Sequence, residues 1–209
     1  MKIGIKHQES YSRGSLILRS LFGGLYIALP HGFLLIFMSI ASSFVGIINF
    51  WSILITGKMI RSMFDFQLNL MRWSLRVNAR LMNLSDGYPA FGMTHNDADV
   101  ILDIDYPETS NRVSVLLRAM FGIWYVLIPH AFLLFFLQIG VMFVRMIAFW
   151  VVLITGKYPE GMHNYMVGVL RWNIRVSAFM SYLTDTYPPF SRSGNEPEFT
   201  ATSAPDLLD

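Results

Sequence analysis

The chain contains the same module twice, and this duplication restricts its fold more than any other feature. The two copies align with an offset of 99 residues, and the register holds from Arg13/Arg112 to Phe91/Phe190. A period near 100 residues is too long for a solenoid repeat. We therefore expect two modules packed about a pseudo-twofold axis. The clearest matched segments are Pro30-His31 with Pro129-His130, Phe50-Trp51 with Phe149-Trp150, and Arg72-Trp73 with Arg171-Trp172.

One long apolar stretch in each copy indicates a membrane protein. Residues 16–57 contain one fully charged side chain and residues 115–156 contain two, in a chain that is 54% hydrophobic. A membrane-crossing helix needs about 20 residues, so each stretch is long enough for two spans. We therefore expect four transmembrane helices in two hairpins, with turns near Ser39–Ser43 and Gln138–Val141.

The basic residues predict an orientation. Lys and Arg side chains gather at or beyond the ends of the two hairpins, and the positive-inside rule then places both termini in the cytoplasm. A competing topology makes residues 16–29 an interfacial helix and residues 31–55 a single span. We disfavour it because it would place Arg72, Arg76 and Arg80 outside.

The chain has no Cys, which excludes disulfides and thiolate chemistry.

After each hairpin the sequence predicts an amphipathic cytoplasmic helix, at about 59–84 in the first copy and 159–184 in the second. Polar residues between Arg61 and Arg80 recur every three or four positions, which places them on one helical face. A basic helix with Trp beside Arg is typical of the lipid headgroup layer, and we favour that location. The alternative is that the apolar face packs on the transmembrane helices while the arginines are solvated.

A short β-strand is predicted ahead of each hairpin. Ile3 and Ile5 align with Leu102 and Ile104, and each pair alternates with polar or charged neighbours. We expect the two strands to pair with each other.

The predicted fold class is an all-α membrane protein with two tandem copies of a transmembrane hairpin and an amphipathic interfacial helix. The acidic linker lacks EF-hand spacing, so no metal site is predicted there. The predicted units are repeat 1 (1–93, hairpin about 16–57), an acidic linker with a strand (94–110), repeat 2 (111–190, hairpin about 115–156) and a disordered tail (191–209).

Two Pro-His pairs are the sharpest candidates for a functional site. Proline frees a backbone carbonyl inside the helix, and an ionisable group at membrane depth is a functional-site hypothesis. Two symmetry-related imidazoles could bind a proton, a polar solute or a shared metal. However, neither apolar stretch contains Asp or Glu, and two His underfill a zinc site. We favour a structural role, in which each His bonds a freed carbonyl or a neighbour such as Ser39 or Gln138. The candidates are Pro30, His31, Pro129 and His130.

A second set of residues is predicted to contact anionic lipid headgroups or a protein partner. Each cation near a charged leaflet contributes about 1 kcal/mol. For Arg76 and Arg175, internal ion pairs with Asp86 and Asp185 are an open alternative. The set comprises Arg19, Arg118, Lys58, Lys157, Arg72, Arg171, Arg76, Arg175, Trp73 and Trp172.

Four motifs in the second half of the chain carry a family resemblance. They are Asp103-Ile104-Asp105-Tyr106-Pro107-Glu108, Thr155-Gly156-Lys157-Tyr158-Pro159-Glu160, Arg171-Trp172-x-x-Arg175-Val176 and Tyr187-Pro188-Pro189-Phe190. They resemble a bacterial family of uncharacterised membrane proteins defined by a domain of unknown function that often occurs in tandem. The first copy departs from the pattern, with Met59-Ile60-Arg61 in place of Tyr-Pro-Glu. The resemblance implies a bacterial inner-membrane protein and supplies no catalytic residues.

These observations predict a binding protein rather than an enzyme. The sequence has no Gly-rich phosphate loop, nucleophile elbow or His-Glu-x-x-His motif, so neither catalysis nor a cofactor is expected. A net charge of +2 disfavours nucleic acid. We expect a scaffold, accessory subunit or lipid-organising module that associates with itself or another membrane subunit. The alternative is a channel or transporter for a small solute, proton or lipid, using the cleft between the repeats near His31 and His130.

Overall fold

Two copies of a strand followed by two helices make up the fold. The computed structural model describes residues 1–194, so most of the predicted tail lies outside the described residues. The predominantly helical tandem repeat is confirmed, as are the predicted strands. The first copy contains β1 (Lys2–Ile5), α1 (Arg13–Thr56) and α2 (Arg61–Leu81), and the second contains β2 (Val100–Asp103), α3 (Arg112–Thr155) and α4 (Glu160–Met180).

Each apolar stretch forms one continuous helix, so the predicted hairpins are wrong. The segments expected to turn, 39–43 and 138–141, lie inside α1 and α3. Neither segment has a proline, and the Ser43 hydroxyl donates to the Ser39 carbonyl at 3.1 Å, so this polar side chain is satisfied without a turn. Each helix has 44 residues, or about 66 Å at 1.5 Å per residue. Both are long and apolar enough to cross a membrane.

The long helices also continue through their prolines, so residues 16–29 and 31–55 belong to one helix rather than to two. A single π-helical turn precedes each proline, Gly24–Ala28 in α1 and Ile123–Leu127 in α3. A π turn widens the helix locally, and it lies where the proline ring would otherwise crowd the preceding turn. The sequence therefore changes helix geometry at this point without ending the helix.

Only one face of each long helix contacts the rest of the protein. In α1 the buried residues recur every three or four positions on either side of the segment 32–48, which has no fully buried residue, whereas the side chains on the other faces are exposed and apolar. Leu21, Leu25 and Ile55, for example, are 68%, 67% and 72% exposed. The buried residues of α1 are Leu16, Arg19, Gly23, Ile27, His31, Asn49 and Ile53.

The amphipathic helices pack directly against the long helices, α2 on α1 and α4 on α3. Trp73 and Trp172 are only 3% and 5% exposed, so they do not lie in a headgroup layer. The apolar faces pack as the alternative interpretation expected, because α1 and α3 offer a matching apolar stripe. The arginines are not simply solvated, however, as the site described below shows.

The strands form a two-stranded antiparallel ribbon that relates the two copies. Ile3 pairs with Leu102, and these residues are equivalent positions of the repeat.

The long helices are also capped across the copies. The Arg13 guanidinium donates to the Ile154 carbonyl at 2.8 Å, and the equivalent Arg112 donates to the carbonyl of Ile55 at 3.1 Å. Each copy therefore completes the C-terminal end of the other copy's long helix, where a cation is electrostatically favoured.

Candidate functional site

Each Pro-His histidine is buried in an aromatic cluster of its own repeat. The Trp73 indole Nε1–H donates to His31 Nδ1 at 2.9 Å, and Trp172 donates to His130 at 2.8 Å. An indole can only donate, so Nδ1 accepts and each imidazole is neutral with its proton on Nε2. Both histidines are completely buried. The predicted bonds to a freed carbonyl, Ser39 or Gln138 are therefore wrong, because Nδ1 accepts from the indole and Nε2 has no hydrogen-bond partner within the described part of the chain.

The repeated Tyr-Pro loops complete this cluster. The Tyr88 hydroxyl donates to the carbonyl of Tyr26 at 3.0 Å, and Tyr26 lies four residues before Pro30, where proline removes the helical donor. The same bond joins Tyr187 to the Tyr125 carbonyl at 2.9 Å. A neighbouring segment thus satisfies the freed carbonyl, as membrane-depth proline requires. The sequence signal was the joint recurrence of Pro-His and Tyr-Pro in both copies.

A stacked aromatic ring closes each cluster. The Phe91 ring lies parallel to His31, with centroids 3.9 Å apart, and Phe190 stacks on His130 at 4.1 Å. Each imidazole is therefore held by an edge contact with Trp and a face contact with Phe. Through these contacts, each cluster fixes the loop after the amphipathic helix to the long helix just after its π-helical turn.

Replacing His31 with Leu is expected to lower the free energy of unfolding by about 1–3 kcal/mol, because the buried Trp73 N–H loses its acceptor. His31→Gln retains an acceptor and should cost less. Adding Trp73→Phe to His31→Leu should recover part of the loss, since neither partner is then unpaired. Thermal unfolding in detergent measures these differences. Equal stabilities for the Leu and Gln variants would contradict this account.

Two buried ion pairs tie the long helices to the loops beyond the amphipathic helices. Arg19 donates to Asp86 at 2.6 Å, and Arg118 donates to Asp185. The Arg19 and Arg118 side chains are 1% and 0% exposed. The headgroup role predicted for them is therefore wrong, because their guanidiniums point into the protein. The acids predicted to pair with Arg76 and Arg175 are already engaged here.

Arginines of the amphipathic helices bind carbonyls of this chain. Arg76 donates to the carbonyl of Gly92 at 2.6 Å, and Arg175 donates to that of Ser193 at 2.8 Å. Both bonds fix the loop that follows the Tyr-Pro motif. Neither headgroup contact nor pairing with Asp86 and Asp185 describes these two residues.

The remaining arginine pair holds the β-ribbon. Arg72 Nε donates to the Leu102 carbonyl at 2.8 Å, and Arg171 Nε donates to the Ile3 carbonyl at 3.3 Å. Arg171 is only 4% exposed. These arginines therefore face the ribbon rather than lipid, because α2 and α4 form an internal layer. Lys58 and Lys157 are exposed at the ends of the long helices, and their headgroup role stays a prediction.

A histidine pair that the sequence interpretation missed lies between the first strand and α4. His7 Nε2–H donates to the Tyr158 carbonyl at 2.7 Å, and the His7 and His163 rings are 4.9 Å apart. Burial, reinforced by the charge of His7, lowers the pKa of His163 to about 4. The equivalent positions of the other copy hold Tyr106 and Phe64, also in an edge contact. Comparing the two copies for such differences would have revealed the pair.

A cleft lined by uncharged polar and apolar residues lies where all four helices meet. It comprises a cavity of about 400 Å³ and a neighbouring one of about 470 Å³, which share Ser42 and Gln67 in their linings. We call these two cavities the central cleft. Neither His31 nor His130 lines it, so the cleft is separate from the site beside these histidines where the transporter alternative places its pathway.

The comparisons with known proteins identify a domain without an assigned activity. Residues 18–92 and 112–192 each match a domain of unknown function, DUF4389. No curated protein and no solved structure matches the chain. The matched segments begin within the long helices and end after the Tyr-Pro loops, so each includes one aromatic cluster. Among residues 1–194, no group of three or more His, Cys, Asp or Glu is arranged to hold a metal ion.

Proposed function

The chain belongs to the family defined by the domain of unknown function DUF4389, of which it carries two copies. We propose that it is a non-enzymatic membrane scaffold. In this proposal α1 and α3 embed in the bilayer, and the amphipathic helices and the ribbon form an ordered aqueous layer above them. The protein then organises the lipids that surround its long helices.

The outward surface of the long helices carries this proposal. Exposed apolar side chains follow α1 from Ile17 to Ile55 and α3 from Val113 to Ile154. A continuous apolar surface of this length is unusual on a soluble monomer, and acyl chains are its natural solvent. Charged residues lie mainly at the ends instead, with Arg13 and Lys58 exposed at the two ends of α1; the exception is Arg145, which is exposed within α3.

The same surface suggests how the helices sit in the membrane. A 44-residue helix is about twice as long as the hydrocarbon core requires, and the residues of α1 that are buried against protein lie on either side of its middle segment, 32–48. We therefore place both ends of α1 and α3 at the headgroups of one leaflet, with their middles submerged. The positive-inside rule then assigns the aqueous layer, with the N-terminus, to the cytoplasmic face of a bacterial inner membrane.

Cysteine labelling tests this placement directly, because the native chain has no Cys. Ile40 lies on the outward surface and is 52% exposed, whereas Ser10 lies in the aqueous layer. An impermeant maleimide should label Ser10→Cys in inverted membrane vesicles but not in intact cells. It should label Ile40→Cys in neither, although both variants should react after denaturation in SDS.

Two outcomes would contradict the proposal. Labelling of Ile40→Cys in inverted vesicles as rapidly as Ser10→Cys would show that the apolar surface faces water. Labelling of Ser10→Cys in intact cells would reverse the assigned orientation. The denatured sample controls for thiol reactivity, since both cysteines are then equally accessible.

A further inference from the structure

The central cleft is lined by both polar and apolar side chains, and none of them carries a formal charge. Of the described residues that line its 400 Å³ cavity, eight are Ser, Asn or Gln and none is Asp, Glu, Lys or Arg. Polarity recurs at equivalent positions of the two copies even where the residue differs, and the pairs are Ser39 with Gln138, Ser74 with Asn173, and Asn78 with Ser177. An apolar lining would pack better if the cavity held only acyl chains.

Gln67 is the second and independent observation. It is 3% exposed, and its side-chain oxygen has no hydrogen-bond partner within the described part of the chain. A buried polar atom without a partner costs about 1–3 kcal/mol and calls for an explanation. The equivalent residue, Met166, is fully buried, so packing at this position does not require an amide. The oxygen of Gln67 is therefore suited to a ligand that donates a hydrogen bond.

The neighbouring amides add further acceptors. Asn78 donates its amide N–H to the Ser74 carbonyl at 2.8 Å, and Asn173 donates to the Val169 carbonyl at 3.0 Å. The two amide oxygens remain as acceptors, which hydroxyl groups complement. A phosphate group, by contrast, would bring charge to a lining without a cation, and an unpaired charge is costly away from water.

The surroundings of the cleft favour a ligand with an apolar tail. Ser39 lies near the middle of α1 and Gln138 near the middle of α3. Their neighbours Ile40 and Ile139 are exposed and apolar. A headgroup in the cleft could therefore leave its acyl chains against the outward surface of the long helices. The volume is within the range of small-molecule sites.

We propose that the central cleft binds the uncharged, hydroxyl-rich headgroup of a membrane lipid, such as the sugar of a glycosyl-diacylglycerol. This inference rests on the bilayer placement of α1 and α3 proposed above. In it, Gln67 accepts a hydrogen bond from a headgroup hydroxyl, and Asn78 and Asn173 accept from others. The protein then distinguishes sugar-bearing lipids from anionic phospholipids through the absence of charge in the cleft.

Lipid retention by the purified full chain tests the proposal. Native mass spectrometry in detergent should show wild-type protein retaining monoglucosyl-diacylglycerol at least about tenfold more tightly than phosphatidylglycerol or diacylglycerol. The Gln67→Met variant should bind the glycolipid about tenfold more weakly than the wild type. We expect it to fold normally, because Met166 occupies the equivalent position of the second copy. Ser62→Ala, at an exposed site of α2 outside the cleft, should bind as wild type does.

Three results would overturn the inference. These are retention of phosphatidylglycerol as strong as that of the glycolipid, unchanged glycolipid affinity in Gln67→Met, and binding of free glucose as tight as binding of the glycolipid. The last result would assign the cleft to a soluble polyol. Because binding is measured in detergent and cysteine labelling in membranes, failure of this inference is distinguishable from failure of the proposed membrane placement.

Discussion

Replacing Asp185 with Ala is expected to lower the free energy of unfolding by about 3 kcal/mol, because it leaves a buried guanidinium without its counterion. The Arg118 side chain is fully buried. It also donates to the carbonyls of Phe179 and Thr184 at 2.6 and 2.9 Å, so it cannot swing to solvent without breaking these bonds. Asp185 accepts the Asn111 backbone N–H at 2.7 Å as well, so the start of α3 should loosen too. Thermal unfolding in detergent measures the loss.

An exposed ion pair in the same chain supplies the matched control. Arg61 and Asp65 lie 3.4 Å apart with side chains 65% and 46% exposed, so Asp65→Ala should cost no more than about 0.5 kcal/mol. Combining Asp185→Ala with Arg118→Met removes the uncompensated charge and should recover part of the loss. The account fails if Asp185→Ala is no more destabilising than Asp65→Ala, or if the double variant is less stable than the single one.

Acidification should destabilise the fold through His163. Burial and the nearby His7 lower its pKa to about 4, whereas an unfolded histidine titrates near 6.5. Between these values the unfolded chain binds the additional proton, so stability falls as the pH falls. The contribution is fully present above pH 6.5 and is lost as the pH approaches 4, a difference of roughly 3 kcal/mol. Unfolding midpoints measured from pH 7.5 to 4 follow this loss.

His163→Phe is the natural control for this pH dependence, because Phe64 occupies the equivalent position of the first copy. The variant should keep its fold and lose the part of the acid sensitivity that His163 supplies. The other titratable groups in ring contact with this histidine are His7 and Tyr158, and they remain in the variant. An unchanged dependence on pH in His163→Phe would show that another group is responsible.

Sequence reasoning predicted the features that depend on the repeat itself. Alignment of the copies predicted that the strands containing Ile3 and Leu102 pair with each other, and the ribbon joins them, although its antiparallel register was not predicted. The same alignment singled out the Pro-His and Tyr-Pro segments, which meet in the aromatic clusters. Such features are predictable because a pseudo-twofold axis brings equivalent residues together.

The hairpins and the arginine contacts could not be predicted in the same way. Length alone allowed two spans in residues 16–57, but it does not decide between a turn and one long helix whose face is covered by α2. Periodicity placed Arg72 and Arg76 on one face of α2. It did not reveal that the ribbon and a loop cover that face, so the carbonyls of Leu102 and Gly92 replaced the expected headgroups. Tertiary packing outweighed the local pattern in both cases.

The reciprocal capping of the long helices bears on how this chain arose. Arg13 caps the C-terminal end of the helix that ends at Thr155, and Arg112 caps the helix that ends at Thr56. The long helix of each half therefore depends on the other half for its C-terminal cap. A polypeptide with a single copy would satisfy the same bonds only by pairing with an identical chain in a closed, two-fold symmetric dimer. The present molecule is then a covalently fused homodimer. Fusion released its halves from strict identity and allowed Gln67 and His163 to arise on one side only.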